Sequence, residues 1–163
     1  MKSLSIFFVL FISHLLFAEE LVKAPSFQLP DRQDRVLDSQ TLDNQVVYLD
    51  FWASWCVPCR QSFPWLDKMQ TVYGDQGFRV VAINLDTSKN QALQFLKEVP
   101  ASFMVLFDPA GKTPEMYQVQ GMPSSYLIDR KGNIRKVQIG FLQKNIDKYE
   151  QSIQELLAEG SAQ

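Results

Sequence analysis

Apolar residues in this chain fall into short continuous runs, separated by stretches with helical spacing. "QVVYLDFWA" (45–53) is nearly all apolar, as a strand buried on both faces is. In 57–73, Phe63, Leu66, Met69 and Val72 recur at roughly helical spacing. Pro64 should kink that helix, and Gly74 to Gly77 end it. "FRVVAINLD" (78–86) is a second buried strand. "SKNQALQFLKEV" (88–99) is an amphipathic helix with a serine start, and "SFMVLFD" (102–108) is a third strand. "PAGKTPEMYQVQ" gives a turn and a short helix, and "SSYLIDRKGNIRKVQIG" gives two short strands across a "DRKGN" turn. "NIDKYEQSIQELLAEG" closes with a helix whose stripe is Ile146, Tyr149, Ile153, Leu156 and Leu157. Ahead of all this, "APSFQLPDRQDRVLDSQTL" is polar and turn-rich with short extended pieces. The order β-α-β-α-β-α-β-β-α predicts an α/β sandwich with parallel crossovers and a terminal antiparallel hairpin. No internal repeat interrupts it.

The first residues follow another pattern. "MKSLSIFFVLFISHLLFA" has one lysine, then an apolar run from Leu4 to Phe17, then Ala18 before two glutamates. That is the pattern of a signal peptide, residues 1–18, leaving one domain, 19–163. The run is shorter than the ~20 residues that span a bilayer. An uncleaved membrane anchor is the competing reading. No cysteine near the cleavage point could carry a lipid. An exported chain meets an oxidising compartment, the periplasm in a double-membraned cell.

Length and composition change the picture little. A chain of 163 residues with 46% hydrophobic residues can bury one sizeable core. The net charge of −2 gives no basic field, so no nucleic-acid partner is expected. The cysteines change it most. There are two, Cys56 and Cys59, in "FWASWCVPCR", and the single histidine, His14, lies in the signal segment. A structural zinc site wants four cysteine or histidine ligands, a c-type haem wants histidine where Arg60 stands, and iron–sulfur clusters want four thiolates. All three fail by counting. A structural staple is weak, because closing so short a ring is worth about 2 kcal/mol.

A redox-active dithiol remains. The pair follows a strand and opens a helix, so Cys56 sits at a helix N-terminus, where free N–H groups and the dipole favour a thiolate. Cysteines so placed titrate at about 3.5 to 7.5, against about 8.5 for a free thiol. Pro58 falls in the first turn, where its missing N–H costs nothing. On this reading Cys56 attacks a partner disulfide and Cys59 resolves the mixed disulfide.

These residues resemble the thioredoxin superfamily. "DFWASWCVPC" is similar to its active-site segment, Pro64 to its helix-kink proline, "GMPSSYLID" to its cis-proline loop and "IGFLQKNID" to the segment leading into its last helix. Within it the chain is more similar to the TlpA/ResA/CcmG branch of exported thiol–disulfide oxidoreductases, by its secretory start, by "APSFQLPD", and by an insertion from Thr87 to about Gly111. The resemblance implies a central mixed β-sheet flanked by helices, with an N-terminal extension and a central helix–strand insertion. It implies that Pro123 is cis and that the Met122 backbone pairs with an extended substrate. The proline also keeps metal from the thiols in that family. Trp55, beside Cys56, reads either as a flat contact surface for a partner or as a simple shield for the thiol, and Pro58 is placed with it among the substrate-binding residues.

Two departures bear on mechanism. Ser62 stands where the branch often has an acidic residue, and Asp50 where it often has asparagine. Thioredoxin itself has a buried aspartate at the Asp50 place, paired with a lysine whose best match here is Ala82. An unpaired buried Asp50 should titrate high and relay the Cys59 proton. The plainer reading is a strand-end aspartate capping a turn. Trp52 reads as packing. Arg60 either holds the thiolate or solvates the helix face, and Lys144 and Lys148 read as solvated surface.

The expected activity is reduction of disulfides in partner proteins, with no metal or small-molecule cofactor beyond the Cys56–Cys59 pair. The branch reduces disulfides of apocytochrome c or copper-site proteins, so cytochrome c maturation is one expected setting. A membrane protein must then deliver electrons, and the chain itself is expected to be monomeric. A dithiol oxidase, disfavoured by Val-Pro between the cysteines, and a Cu(I)-delivery protein assisted by Met122 are the alternatives. A peroxiredoxin-type peroxidase does not usually use so close a pair.

Overall fold

The computed structural model describes residues 21–160. The expected signal peptide lies outside the described residues, as do 19–20 and 161–163 of the expected domain. The lead-in forms an antiparallel hairpin, β1 (Gln28–Pro30) with β2 (Val36–Asp38), and then a 3-10 turn over Ser39–Leu42 capped by the Asp38 carboxylate. The remaining elements are β3 (Val46–Trp52), α1 (Val57–Tyr73), β4 (Phe78–Asn84), α2 (Lys89–Glu98), β5 (Met104–Phe107), α3 (Lys112–Met116), β6 (Ser124–Ile128), β7 (Ile134–Ile139) and α4 (Ile146–Glu159). They form one mixed sheet in the order β5-β4-β3-β6-β7. β4 runs parallel to β3 and to β5, while β6 is antiparallel to β3 and to β7. The insertion expected between Thr87 and Gly111 is α2 with β5, which extends the sheet at one edge.

All seven residues of β3 are buried, because β3 is the central strand and both of its faces are packed. Alternation sends Val46, Tyr48, Asp50 and Trp52 to one face and Val47, Leu49 and Phe51 to the other. On the first face lie Phe63, Leu66 and Met69 of α1, Phe95 of α2 and Ile153 of α4. On the second, Phe27 and Leu29 of the lead-in and Tyr117 after α3 cover the sheet. The N-terminal extension is therefore the lid of the second apolar layer.

The α1 stripe differs from its expectation at one end. Val72 is 46% exposed, and Tyr73 is buried in its place, edge-to-face with Phe78 at 6.2 Å and hydrogen-bonded to Glu150. Trp65 is buried as well, 5.5 Å from Tyr48 and 5.7 Å from Tyr149. The helix meets both the sheet and α4, so its covered face is wider than one stripe. Across the "DRKGN" turn, the Asp129 carboxylate accepts the Lys131 and Asn133 N–H groups, and Gly132 takes a φ of +76° that favours glycine.

Candidate active site

The site is built where β3 ends and α1 begins. Cys56 is the N-cap residue of α1, with extended backbone at φ −84° and ψ 105°. Its Sγ accepts the Cys59 N–H at 3.2 Å, so the sulfur does the work a serine or aspartate oxygen does at other helix starts. Cys56 and Cys59 are joined as a disulfide, with Cα atoms 5.3 Å apart. The two sulfurs are unequally placed: Cys56 is 5% exposed and Cys59 is fully covered. Trp55 and Val57, at 69% and 68% exposure, project beside them, and Pro58 is exposed on the first turn.

A buried polar clamp, absent from the sequence reading, holds the loop before Cys56. Asp86, just past β4, is buried. Its carboxylate accepts from the Ser54 N–H at 2.9 Å, the Ser54 hydroxyl at 3.0 Å and the Asn84 side-chain amide at 2.8 Å. Asp86→Ala strands those donors, and the oxidised protein is expected to lose about 2–3 kcal/mol of stability in urea unfolding. Asp86→Asn, which keeps a carbonyl acceptor, should recover part of it.

Asp50 is not a strand-end cap. It lies within β3, opposite Ala82 of β4 and Ser125 of β6, on the sheet face that α1 covers. It is 1% exposed; Oδ1 accepts the Ser125 hydroxyl at 2.6 Å, and Oδ2 has no hydrogen-bond partner among the described residues. Loss of solvation outweighs the Ser125 bond and pushes its pKa up to about 7. Burial, with the Asp50 charge added, also pushes the Tyr48 phenol up. The register leaves the lysine place to Ala82, so no cation faces Asp50 from β4.

The other expected residues fall as follows. Met122 is half-buried against the apolar layer that holds both cysteines, Pro123 is buried, and the peptide bond between them is cis. Ser62 is buried and its hydroxyl donates to the Cys59 carbonyl at 3.0 Å. The Arg60 guanidinium pairs with Glu98 at 3.1 Å and lies 4.8 Å over the Phe95 ring, so it is tied to α2. Among the described residues no group of three or more histidine, cysteine or acidic side chains could hold a metal ion.

A Cys-x-x-Cys disulfide capping a helix on a mixed α/β sheet defines a thiol–disulfide oxidoreductase of thioredoxin fold. The chain belongs to the Redoxin family, whose profile matches residues 20–153. It is similar to the thiol–disulfide oxidoreductase ResA of Bacillus subtilis (strain 168), 30% identical over 123 residues, covering 76% of this chain and 69% of that protein. The thioredoxin-like protein YneN of the same organism is 33% identical over 129 residues, covering 77% and 75%. Among solved structures, a protein assigned as the thiol:disulfide interchange protein DsbE of Chlorobium tepidum superposes with a TM-score of 0.82 at 50% identity, covering 84% of this chain and 96% of that one.

Proposed function

We propose that the protein is exported, with residues 1–18 as its signal, and that it reduces disulfides in partner proteins. The carrying observation is that, beyond the helix start itself, no cation or polar side chain of the described residues adds to the stabilisation of a Cys56 thiolate. Among the described residues, the hydrogen bond its Sγ receives is the Cys59 N–H alone; Val57 and Pro58 add no polar side chain, and Arg60 is engaged by Glu98 and Phe95. The buried acid nearby in the fold, Asp50, opposes a second negative charge. A reduced form with nothing added to the helix start gives electrons away more readily than that of the strong oxidants, which owe their potential to a stabilised reduced form.

In the reduced protein the Cys56 thiolate attacks one sulfur of the partner's disulfide. One S–S bond forms, one breaks, and a partner thiolate leaves. Cys59 then gives its proton to Asp50 and attacks Cys56 Sγ. The Cys56–Cys59 bond forms, the mixed disulfide breaks, and the second partner thiolate leaves and takes a proton from solvent. Two electrons have moved from the dithiol to the partner. Trp55, Pro58 and the Met122–Pro123 segment form the surface on which an extended partner segment lies. The likeness to ResA and DsbE supports, as the partner, a cysteine-bearing exported protein such as an apocytochrome c. A membrane protein that supplies electrons restores the dithiol.

The reduction potential of Cys56–Cys59, poised in thiol buffers and trapped by alkylation, tests the direction. A value near or below the ~−270 mV of thioredoxin is expected. A value near the ~−120 mV of a strong oxidant overturns the reading and makes the pair an oxidase.

A further inference from the structure

We propose that Asp50 exchanges its proton through Ser125 and a small cavity behind the β6–β7 edge, away from the partner-docking face. This rests on the reading of Asp50 as the base of the resolution step. The cavity, about 30 Å³, is lined by Tyr48, Ser125, Leu127, Lys136, Gln138, Tyr149 and Ser152. That volume holds one or two waters, and the Ser125 and Ser152 hydroxyls and the Gln138 amide among its lining residues can bond them. Ser125 joins the cavity to the carboxylate, since it lines the one and donates to the other at 2.6 Å. At the outer end, the half-exposed Lys136 ammonium donates to the Ser152 hydroxyl at 2.5 Å and lies 4.0 Å from Glu155.

The placement has a functional consequence. In the mixed disulfide a partner protein covers Cys56, so the proton taken from Cys59 needs a second way out. A serine hydroxyl donates and accepts at once. As Asp50 passes its proton to Ser125 Oγ, Ser125 passes its own to water in the cavity, and the count of protons balances. The groups facing Asp50 are few. Tyr48 lies two positions away on β3, Cys59 is in the layer above, and Lys136 of β7 and Tyr149 of α4 lie across the cavity. β4 offers Ala82. Ser125 is thus a positioning residue, which holds Asp50 and favours its ionised form.

The test is the pH profile of mixed-disulfide resolution, with the Asp50 carboxyl followed by infrared spectroscopy in the oxidised protein. Ser125→Ala removes the donor, and the midpoint of both titrations is expected to rise by about one pH unit, with resolution near pH 7 falling roughly fivefold. Ser125→Thr keeps the hydroxyl and should restore both. Ser152→Leu fills the cavity without touching the Asp50–Ser125 bond and should raise the midpoint in the same direction. Cys56 alkylation in the reduced variants and thermal unfolding check that each is folded. Midpoints unmoved by Ser125→Ala, or by a folded Ser152→Leu protein, overturn the proposal. In both cases Asp50→Asn still slows resolution if the base is correctly assigned, and leaves it unchanged if that assignment is the one at fault.

Discussion

Mixed with a disulfide-bonded protein, the reduced Cys59→Ala variant is expected to stop at a covalent one-to-one complex through Cys56, and Cys56→Ala to form no complex. Turnover falls in both by on the order of a thousandfold or more, equivalent to about 4 kcal/mol of barrier. The asymmetry follows from the helix start. Cys56 is the N-cap and carries the exposed edge of the disulfide, and its sulfur receives the Cys59 N–H, a bond that favours its thiolate. Cys59 is fully buried one turn in, so an approaching partner meets Cys56 first. Without Cys59 the mixed disulfide has no internal thiol to displace the partner, and release waits on an external thiol. Gel electrophoresis without reductant reads the complex, and mass spectrometry after proteolysis reads which cysteine holds it. A complex through Cys59 in the Cys56→Ala variant, formed as fast, reverses the roles.

How much of this was legible beforehand depends on the distance over which each feature is decided. The strand-to-helix junction at Cys56, the α2–β5 insertion and the β6–β7 hairpin are local patterns, and they stand in the structure within a few residues of their expected bounds. The Val72 and Tyr73 exchange came from treating α1 as one stripe, when contacts with α4 through Tyr73 and Trp65 widen its buried face. Asp50 looked like a strand-end residue because the apolar run ends soon after it. Register places it instead between Ala82 and Ser125, where it cannot cap a turn. Ser125 itself carried no signal: a serine two places after a proline gains meaning when antiparallel pairing sets it 2.6 Å from a carboxylate 75 positions earlier. The Asp86 clamp on Ser54 is likewise a contact between residues 32 apart. Periodicity names elements, but pairings between distant strands decide which polar side chains meet.

Asp50→Asn is expected to do two opposite things: slow the enzyme and stabilise the fold. A carboxyl raised to about 7 is half ionised near neutrality, where it can accept the Cys59 proton. An amide cannot, and general-base catalysis of this kind contributes about 10²–10⁴ in rate, so resolution should fall by roughly a hundredfold at pH 7. The stability effect follows from linkage. The folded protein binds the Asp50 proton more tightly than the unfolded chain, whose aspartate titrates near 3.8. Below pH ~4 both states are protonated and nothing is lost. From there to about 7 stability falls as pH rises, because unfolding releases the proton; above 7 the buried charge costs roughly 4 kcal/mol. The amide of the Asp50→Asn variant carries no such proton, so the variant's advantage should grow across that window and then level off. Asp129 cannot produce the same curve. Against its burial, hydrogen bonds from Asn133 and Lys131 hold its pKa down, so its contribution changes below pH ~4, with opposite sign, and cancels between the two proteins. Urea unfolding of oxidised wild type and variant at several pH values, where neither thiol titrates, isolates the difference. A flat difference between pH ~4 and ~8 shows that Asp50 is ionised throughout, and an unchanged resolution rate from pH ~6 to ~9 removes it from the chemistry.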